Sequence, residues 1–145
     1  MKAYLTRRYM FSASHRLQND AMSVEENRTI YGKCNNPYGH GHNYMLEVTV
    51  SGQVAEDTGM VCNLADLDGL VYEKIIGHFD LQNLNTLAEF AKLVPTTENL
   101  CVVMFDTLNR DILQRRLGGA HLERVRFEET MMNSFEYAGG REIRH

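Results

Sequence analysis

Gly39-His40-Gly41-His42-Asn43-Tyr44-Met45-Leu46-Glu47-Val48-Thr49-Val50 is the stretch on which the fold turns, because a glycine-bracketed loop end runs there directly into a β-branched segment. Val48, Thr49 and Val50 favour extended chain, and the pattern predicts a strand over residues 42–54. Side chains at i and i+2 of a strand share a face, so His40 and His42 converge across Gly41, which leaves room between them. Upstream, residues 2–13 alternate loosely through Tyr4, Thr6, Tyr9 and Phe11, predicting a first strand that ends near His15. The polar segment from Asp20 to Pro37, with Glu25, Glu26, Asn27, Arg28 and Asn35-Asn36, reads as a surface excursion returning at Gly39. Downstream, Glu56-Asp57-Thr58-Gly59 makes a turn into Met60 and predicts a hairpin.

Between Asn63 and Phe79 the apolar residues Leu64, Leu67, Val71, Ile75 and Phe79 recur every three or four positions, the spacing of one helical face. Pro95-Thr96-Thr97-Glu98 opens a second helix, with a threonine as N-cap and a carboxylate near the positive end of the helix dipole. Leu100, Val103, Met104, Leu108 and Ile112 form its buried stripe, and Gly118-Gly119 stops it. Residues 121–130 alternate again, Val125 and Phe127 against Arg124, Arg126 and Glu128, and a short extended piece follows at Ser134 to Tyr137. The order ββαα followed by ββ specifies an antiparallel α+β domain with its helices on one face of the sheet.

The 145 residues fit one domain spanning 1–145, enough to bury roughly two thirds of the surface of the unfolded chain. Fifteen basic against nineteen acidic residues give a net charge of −4, so no overall basic field recruits nucleic acid. There is neither a signal-peptide core nor a membrane-length apolar run, which predicts a cytoplasmic protein with no membrane partner. Three cysteines, Cys34, Cys62 and Cys101, form no paired framework and suit a reducing compartment. Cys62 and Cys101 read as small core residues.

Chemistry concentrates around the opening stretch. His15, His40 and His42 make a candidate three-imidazole metal site with a fourth tetrahedral position left for water or substrate, the arrangement of catalytic zinc. Imidazoles also suit copper, nickel and iron, so the ligand set alone does not fix the metal; Zn2+ is the expectation. The bland alternative is that His40 and His42 cap turns while His15 ends a strand. Cys34 is a candidate base or nucleophile if a nearby cation lowers its thiol pKa.

Phe11-Ser12-Ala13-Ser14-His15, Gly32-Lys33-Cys34-Asn35-Asn36-Pro37 through Gly39-His40-Gly41-His42-Asn43-Tyr44, Gly59-Met60, Asn63-Leu64-Ala65-Asp66-Leu67 and Thr96-Thr97-Glu98-Asn99 together resemble the 6-pyruvoyltetrahydropterin synthase family. The likeness covers nearly the whole chain. It implies a tunnelling fold (T-fold), in which sheets of several subunits close into an oligomeric β-barrel, and a homohexamer built as a dimer of trimers with sites where chains meet. It implies zinc on His15, His40 and His42, Cys34 as catalytic base, and a pterin anchored by Glu129 with Thr96, Thr97 and Glu98 lining the same pocket. Glu128 is the adjacent competitor for the anchor, and strand alternation lets only one of the two face the pocket. The implied reaction converts 7,8-dihydroneopterin triphosphate to 6-pyruvoyltetrahydropterin with loss of triphosphate, which Arg16 and Lys33 are placed in sequence to meet.

One segment departs from the family pattern. The base is usually supported there by an Asp-His pair, and here Phe79-Asp80-Leu81-Gln82 keeps Asp80 but carries Leu81 in place of the histidine. An unperturbed thiol is only about 3% ionised at pH 7, so the loss of an imidazole bears on catalysis. His78 is either a substitute or a helix C-terminal residue answering the dipole. Five residues separate Cys34 from His40, which resembles the pyruvoyl branch. The alternatives are the sibling 6-carboxytetrahydropterin synthase of deazapurine biosynthesis, which more often looks like a cysteine plus three residues before His-Gly-His, cleavage of the dihydroneopterin side chain, or, motivated by Leu81, a non-catalytic pterin- or metal-binding protein.

Overall fold

The computed structural model describes residues 1–115 and 117–143, with the side chain of residue 115 left out. Two fourteen-residue strands, β1 (Lys2–His15) and β2 (His40–Gln53), form the spine of a five-stranded sheet. They pair antiparallel along their whole length, from Lys2 opposite Gln53 to His15 opposite His40. β4 (His121–Thr130) adds to β2, and β5 (Asn133–Tyr137) to β4, both antiparallel. β3 (Gln82–Asn83) lies on the other edge, paired with Ala13 and Ser14 of β1 in parallel, so the sheet is mixed rather than wholly antiparallel as expected.

The excursion between β1 and β2 holds a helix that the polar composition hid, α1 (Val24–Tyr31), followed by a 3₁₀ turn at Gly32–Asn35. Its N-terminus carries a full capping box, Ser23 Oγ receiving the Glu26 N–H and the Glu26 side chain receiving the Ser23 N–H. No apolar stripe marks α1, because the side chain it buries is Asn27, bonded to the carbonyls of Asn19, Met22 and Ser23. The turn after β2 forms, with Gly59 N–H on Ala55 O and Ala55 N–H on Met60 O, but it feeds a helix rather than the returning strand of a hairpin.

The predicted helix over 63–79 is one rod with a π-helical segment in it: α2 (Leu64–Val71), the π turn Tyr72–Ile76, and a last turn α3 (Gly77–Phe79). Four of its five predicted stripe residues are buried and Leu64 is partly exposed. α4 (Thr97–Arg115) is capped by Thr96, whose hydroxyl accepts the Asn99 N–H. Gly118 and Gly119, both at positive φ, end it, backbone that glycine adopts without strain. The helices cover one face of the sheet. Tyr9, Phe11, Ala13, Tyr44, Leu46, Val48, Val50, Val125 and Phe127 meet Leu67, Val71, Ile75, Leu100, Met104 and Leu108 there in a continuous core, with Cys62 and Cys101 buried as free thiols. No helix among the described residues is long and apolar enough to cross a membrane.

Candidate metal and substrate site

Register alone brings the three histidines together. His15 ends β1 opposite His40, the first residue of β2, and His42 follows on the same face. Gly39 makes the junction possible: its φ is +70°, and a Cβ there would lie 2.9 Å from the His15 carbonyl oxygen. The three rings stand nearly perpendicular to one another with centroids 4.8, 5.2 and 4.8 Å apart. Their candidate ligand nitrogens all lie within 4.8 Å of each other, and His15 Nε2 is 3.1 Å from His40 Nε2. Two nitrogens bound to one tetrahedral zinc at about 2.0–2.1 Å sit roughly 3.3–3.4 Å apart, so the His15–His40 pair is already near that spacing and the wider pairs reach it by drawing inward.

The surroundings fit a metal as well. His15 Nδ1 is 2.8 Å from the Pro95 carbonyl, which fixes that nitrogen as the N–H and turns a lone pair on Nε2 inward. His42 Nε2 is buried with no hydrogen-bond partner. Burial, with the neighbouring imidazoles, holds the pKa of His15 and of His42 below the ordinary value, and the Glu129 charge opposes it in both. Those two rings are thus biased toward the neutral form, the state that binds a cation.

Glu129 closes the site from β4. The β4–β5 register shifts at this residue, and its carboxylate takes a hydrogen bond from the Thr97 hydroxyl and lies 3.9 Å from His42 Nε2. Glu128 points to the uncovered face, where it pairs with Arg126 at 3.1 Å. Of the threonine run, Thr97 therefore reaches Glu129, Thr96 caps α4, and Glu98 is exposed.

Cys34 sits half-buried in the 3₁₀ turn, its carbonyl held by the Leu17 N–H at 2.7 Å, while Asn35 Nδ2 binds the Leu17 carbonyl at 2.7 Å. This strap ties the thiol's turn to the chain leaving His15. Burial first, and then the Glu129 charge, push the Cys34 thiol above its usual pKa, with Lys33 opposing. Arg16, Arg28 and Lys33 line a cavity of about 270 Å³ at the same turn. Asp80 stands apart: its Oδ1 accepts the Ser12 N–H at 2.8 Å, and no hydrogen bond or ion pair joins it to Cys34 among the described residues. Leu81 follows at φ +60° and is 81% exposed, its N–H on the Ser12 carbonyl at 2.6 Å. His78 binds Glu89 at 2.6 Å.

Sequence reasoning left Tyr44 without a role. It lies two residues beyond His42 on the same face, wholly buried, and its hydroxyl has no hydrogen-bond partner. Burial and then the Glu129 charge raise its pKa, keeping the phenol neutral. The signal was the strand parity that also aligned the histidines.

A T-fold sheet, open in the single chain, with three convergent imidazoles beside an inward carboxylate, defines a protein with a candidate metal site and a charged acceptor next to it. The family model described as 6-pyruvoyl tetrahydropterin synthase matches residues 4–140, and the chain belongs to that family. It is 45% identical over 139 residues to the 6-pyruvoyl tetrahydrobiopterin synthase of Homo sapiens, covering 95% of this chain and 92% of the human protein. The structure of Caenorhabditis elegans 6-pyruvoyl tetrahydropterin synthase superposes with a TM-score of 0.89 at 35% identity over 97% of both chains. A putative 6-carboxy-5,6,7,8-tetrahydropterin synthase of Archaeoglobus fulgidus is 38% identical over 91 residues, 63% of this chain and 68% of that protein.

Proposed function

We propose that this chain is a zinc-dependent lyase converting 7,8-dihydroneopterin triphosphate to 6-pyruvoyltetrahydropterin with release of triphosphate, in tetrahydrobiopterin synthesis. The observation that carries the reading is the convergence of His15, His40 and His42 beside the Glu129 carboxylate. Near-full-length likeness to proteins named for this activity, against partial coverage by a 6-carboxy relative, supports the pyruvoyl branch.

Zinc held by the three imidazoles would supply Lewis acidity to the substrate side-chain hydroxyls, making the adjoining carbon-bound protons easier to remove. Glu129 accepts two parallel hydrogen bonds from the amino and ring N–H groups of the pterin, a charge-assisted contact that sets its orientation. Thr97 holds that carboxylate in place. Cys34, as thiolate, takes the proton from the side-chain carbon; its return to the ring moves the unsaturation, and triphosphate leaves. Arg16 and Lys33, with Arg28 beside them, offer the leaving group positive charge. Asp80 supports the base from a neighbouring chain in a homohexamer.

Incubating purified protein with dihydroneopterin triphosphate and identifying the pterin product tests this directly. Zinc-dependent 6-pyruvoyltetrahydropterin formation that vanishes in Cys34→Ala is the expected result. The exposed leucine beside Asp80, which has no proton to exchange, favours a non-catalytic pterin- or metal-binding protein, and a 6-carboxytetrahydropterin synthase or a dihydroneopterin side-chain-cleaving enzyme is the second reading. Truncated side-chain products would decide for it. A protein that binds pterin and zinc with no turnover would be the non-catalytic binding protein.

A further inference from the structure

Three buried side-chain polar atoms among the described residues have no hydrogen-bond partner: His42 Nε2, the Tyr44 hydroxyl and Asp111 Oδ2. Asp111 is answered by the Lys74 ammonium at 3.7 Å. The other two belong to alternate residues of one strand face, with ring centroids 5.5 Å apart. A metal accounts for His42. It does not account for Tyr44, since a neutral phenol is not among the ordinary ligands of zinc. Buried hydroxyls in native folds are nearly always bonded, and one left without a partner points to something that arrives with a ligand.

The hydroxyl is also rigidly placed. The Tyr44 ring is stacked on Phe11, centroids 5.0 Å apart at 16°, and set edge-on against Phe127 at 6.1 Å. It cannot turn to seek a partner without breaking the core. Glu129 and Cys34 are near enough to act on it electrostatically and the Thr97 hydroxyl adjoins it, yet the Thr97 proton is directed to Glu129 and no hydrogen bond to the phenol closes in this geometry. A fixed donor therefore lies near a fixed acceptor, beneath the three histidines.

We propose that the Tyr44 hydroxyl is a substrate-binding group, donating a hydrogen bond to the 4-oxo oxygen of the bound pterin. The inference rests on the pterin reading above. Along one edge of a pterin the 2-amino group, the N3 proton and the 4-oxo oxygen follow in a row. A carboxylate that takes the two donors leaves a carbonyl acceptor next in line, and a phenol adjoining the carboxylate is its complement. The contact forms with the ground state, so it acts on substrate affinity and orientation more than on the chemical step.

Tyr44→Phe removes one oxygen and keeps the ring packing, which makes the two possible roles separable. Binding of neopterin is followed by fluorescence titration of the purified protein, alongside thermal unfolding and zinc content. Tyr44→Phe is expected to unfold at the same or a higher temperature with unchanged zinc, because an unpartnered buried hydroxyl is lost. Neopterin binding is expected to weaken about 3- to 10-fold, the effect of one neutral hydrogen bond, and KM to rise with kcat nearly unchanged. Unchanged neopterin affinity in Tyr44→Phe overturns the assignment, as does a fall in unfolding temperature that accompanies the loss of binding. If wild-type protein itself binds no neopterin, the pterin reading fails together with the inference; wild-type binding that the variant retains in full removes Tyr44 alone.

Discussion

His42 turns a nitrogen into the protein with nothing to bond, and His15 has one nitrogen committed to Pro95, so the site holds lone pairs aimed at a common point. His40 completes it from the less buried side, and His40→Ala is expected to drop zinc from about one per chain to a small fraction while the core stays folded. Elemental analysis with circular dichroism checks this; full retention of zinc in the variant would sink the three-histidine site. Cys34 gives a prediction of sign. Burial and the Glu129 charge both disfavour its thiolate, so metal-free protein should react with iodoacetamide at pH 7 more slowly than a free thiol. The rate should rise only as pH climbs beyond the usual thiol range. Glu129→Gln removes one of the two causes and should shift that rise to lower pH; bound zinc, a positive charge nearby, should act in the same direction. A Cys34 rate that is insensitive to both changes would remove the electrostatic link between thiol and carboxylate.

At the scale of elements, α1 and the segment around Leu81 carry the consequences. α1 stands on Asn27, whose amide answers three carbonyls and whose Oδ1 takes the Asn19 N–H. Asn27→Ala leaves those groups unpaired and is expected to cost about 2–4 kcal/mol, concentrated in the strap that holds Cys34. Hydrogen exchange should show new opening over residues 18–35 with the sheet still protected. This helix was illegible in sequence because helical periodicity is read from apolar side chains, and the residue buried here is an amide. The strands were legible for the opposite reason. Alternation through Tyr9, Phe11, Tyr44 and Leu46 was imposed by a sheet with one face on the core, and the same parity aligned His40 with His42 and separated Glu129 from Glu128. Leu81 is a residue at odds with its backbone: at φ +60° a leucine carries about 1 kcal/mol of strain with little burial in return. Leu81→Asn should raise stability by roughly 0.5–1 kcal/mol, read from denaturant unfolding. Leu81→His suits that conformation too and restores an imidazole beside Asp80. Under the proposed activity it should raise kcat by at least about tenfold, within the usual range of general acid–base help.

At the scale of the whole molecule, the face of the sheet away from the helices is polar and organised rather than bare. Arg126 lies 3.4 Å from Glu47, 3.1 Å from Glu128 and 3.6 Å from Glu136, and Arg8 pairs with Glu47 at 2.9 Å. What the sequence could not convey is how residues far apart in one chain share a site. Cys34 and Asp80 both read as catalytic from their motifs, yet within the chain Asp80 serves the Ser12 N–H, and among the described residues no hydrogen bond or ion pair joins it to Cys34. If sites form where chains meet, as proposed for the hexamer, each takes its thiol from one chain and its carboxylate from another. That arrangement has a consequence no single-chain site shares. Cys34→Ser and Asp80→Asn, the latter keeping an oxygen for the Ser12 N–H, should each lower turnover by about 10²-fold or more. Co-expressed and purified as mixed oligomers, the two variants should regain activity, because some interfaces then pair a native Cys34 with a native Asp80. Mixing the same proteins under conditions that prevent subunit exchange should restore nothing. Mixed oligomers as inactive as either parent would place both residues' function within one chain and remove the shared site.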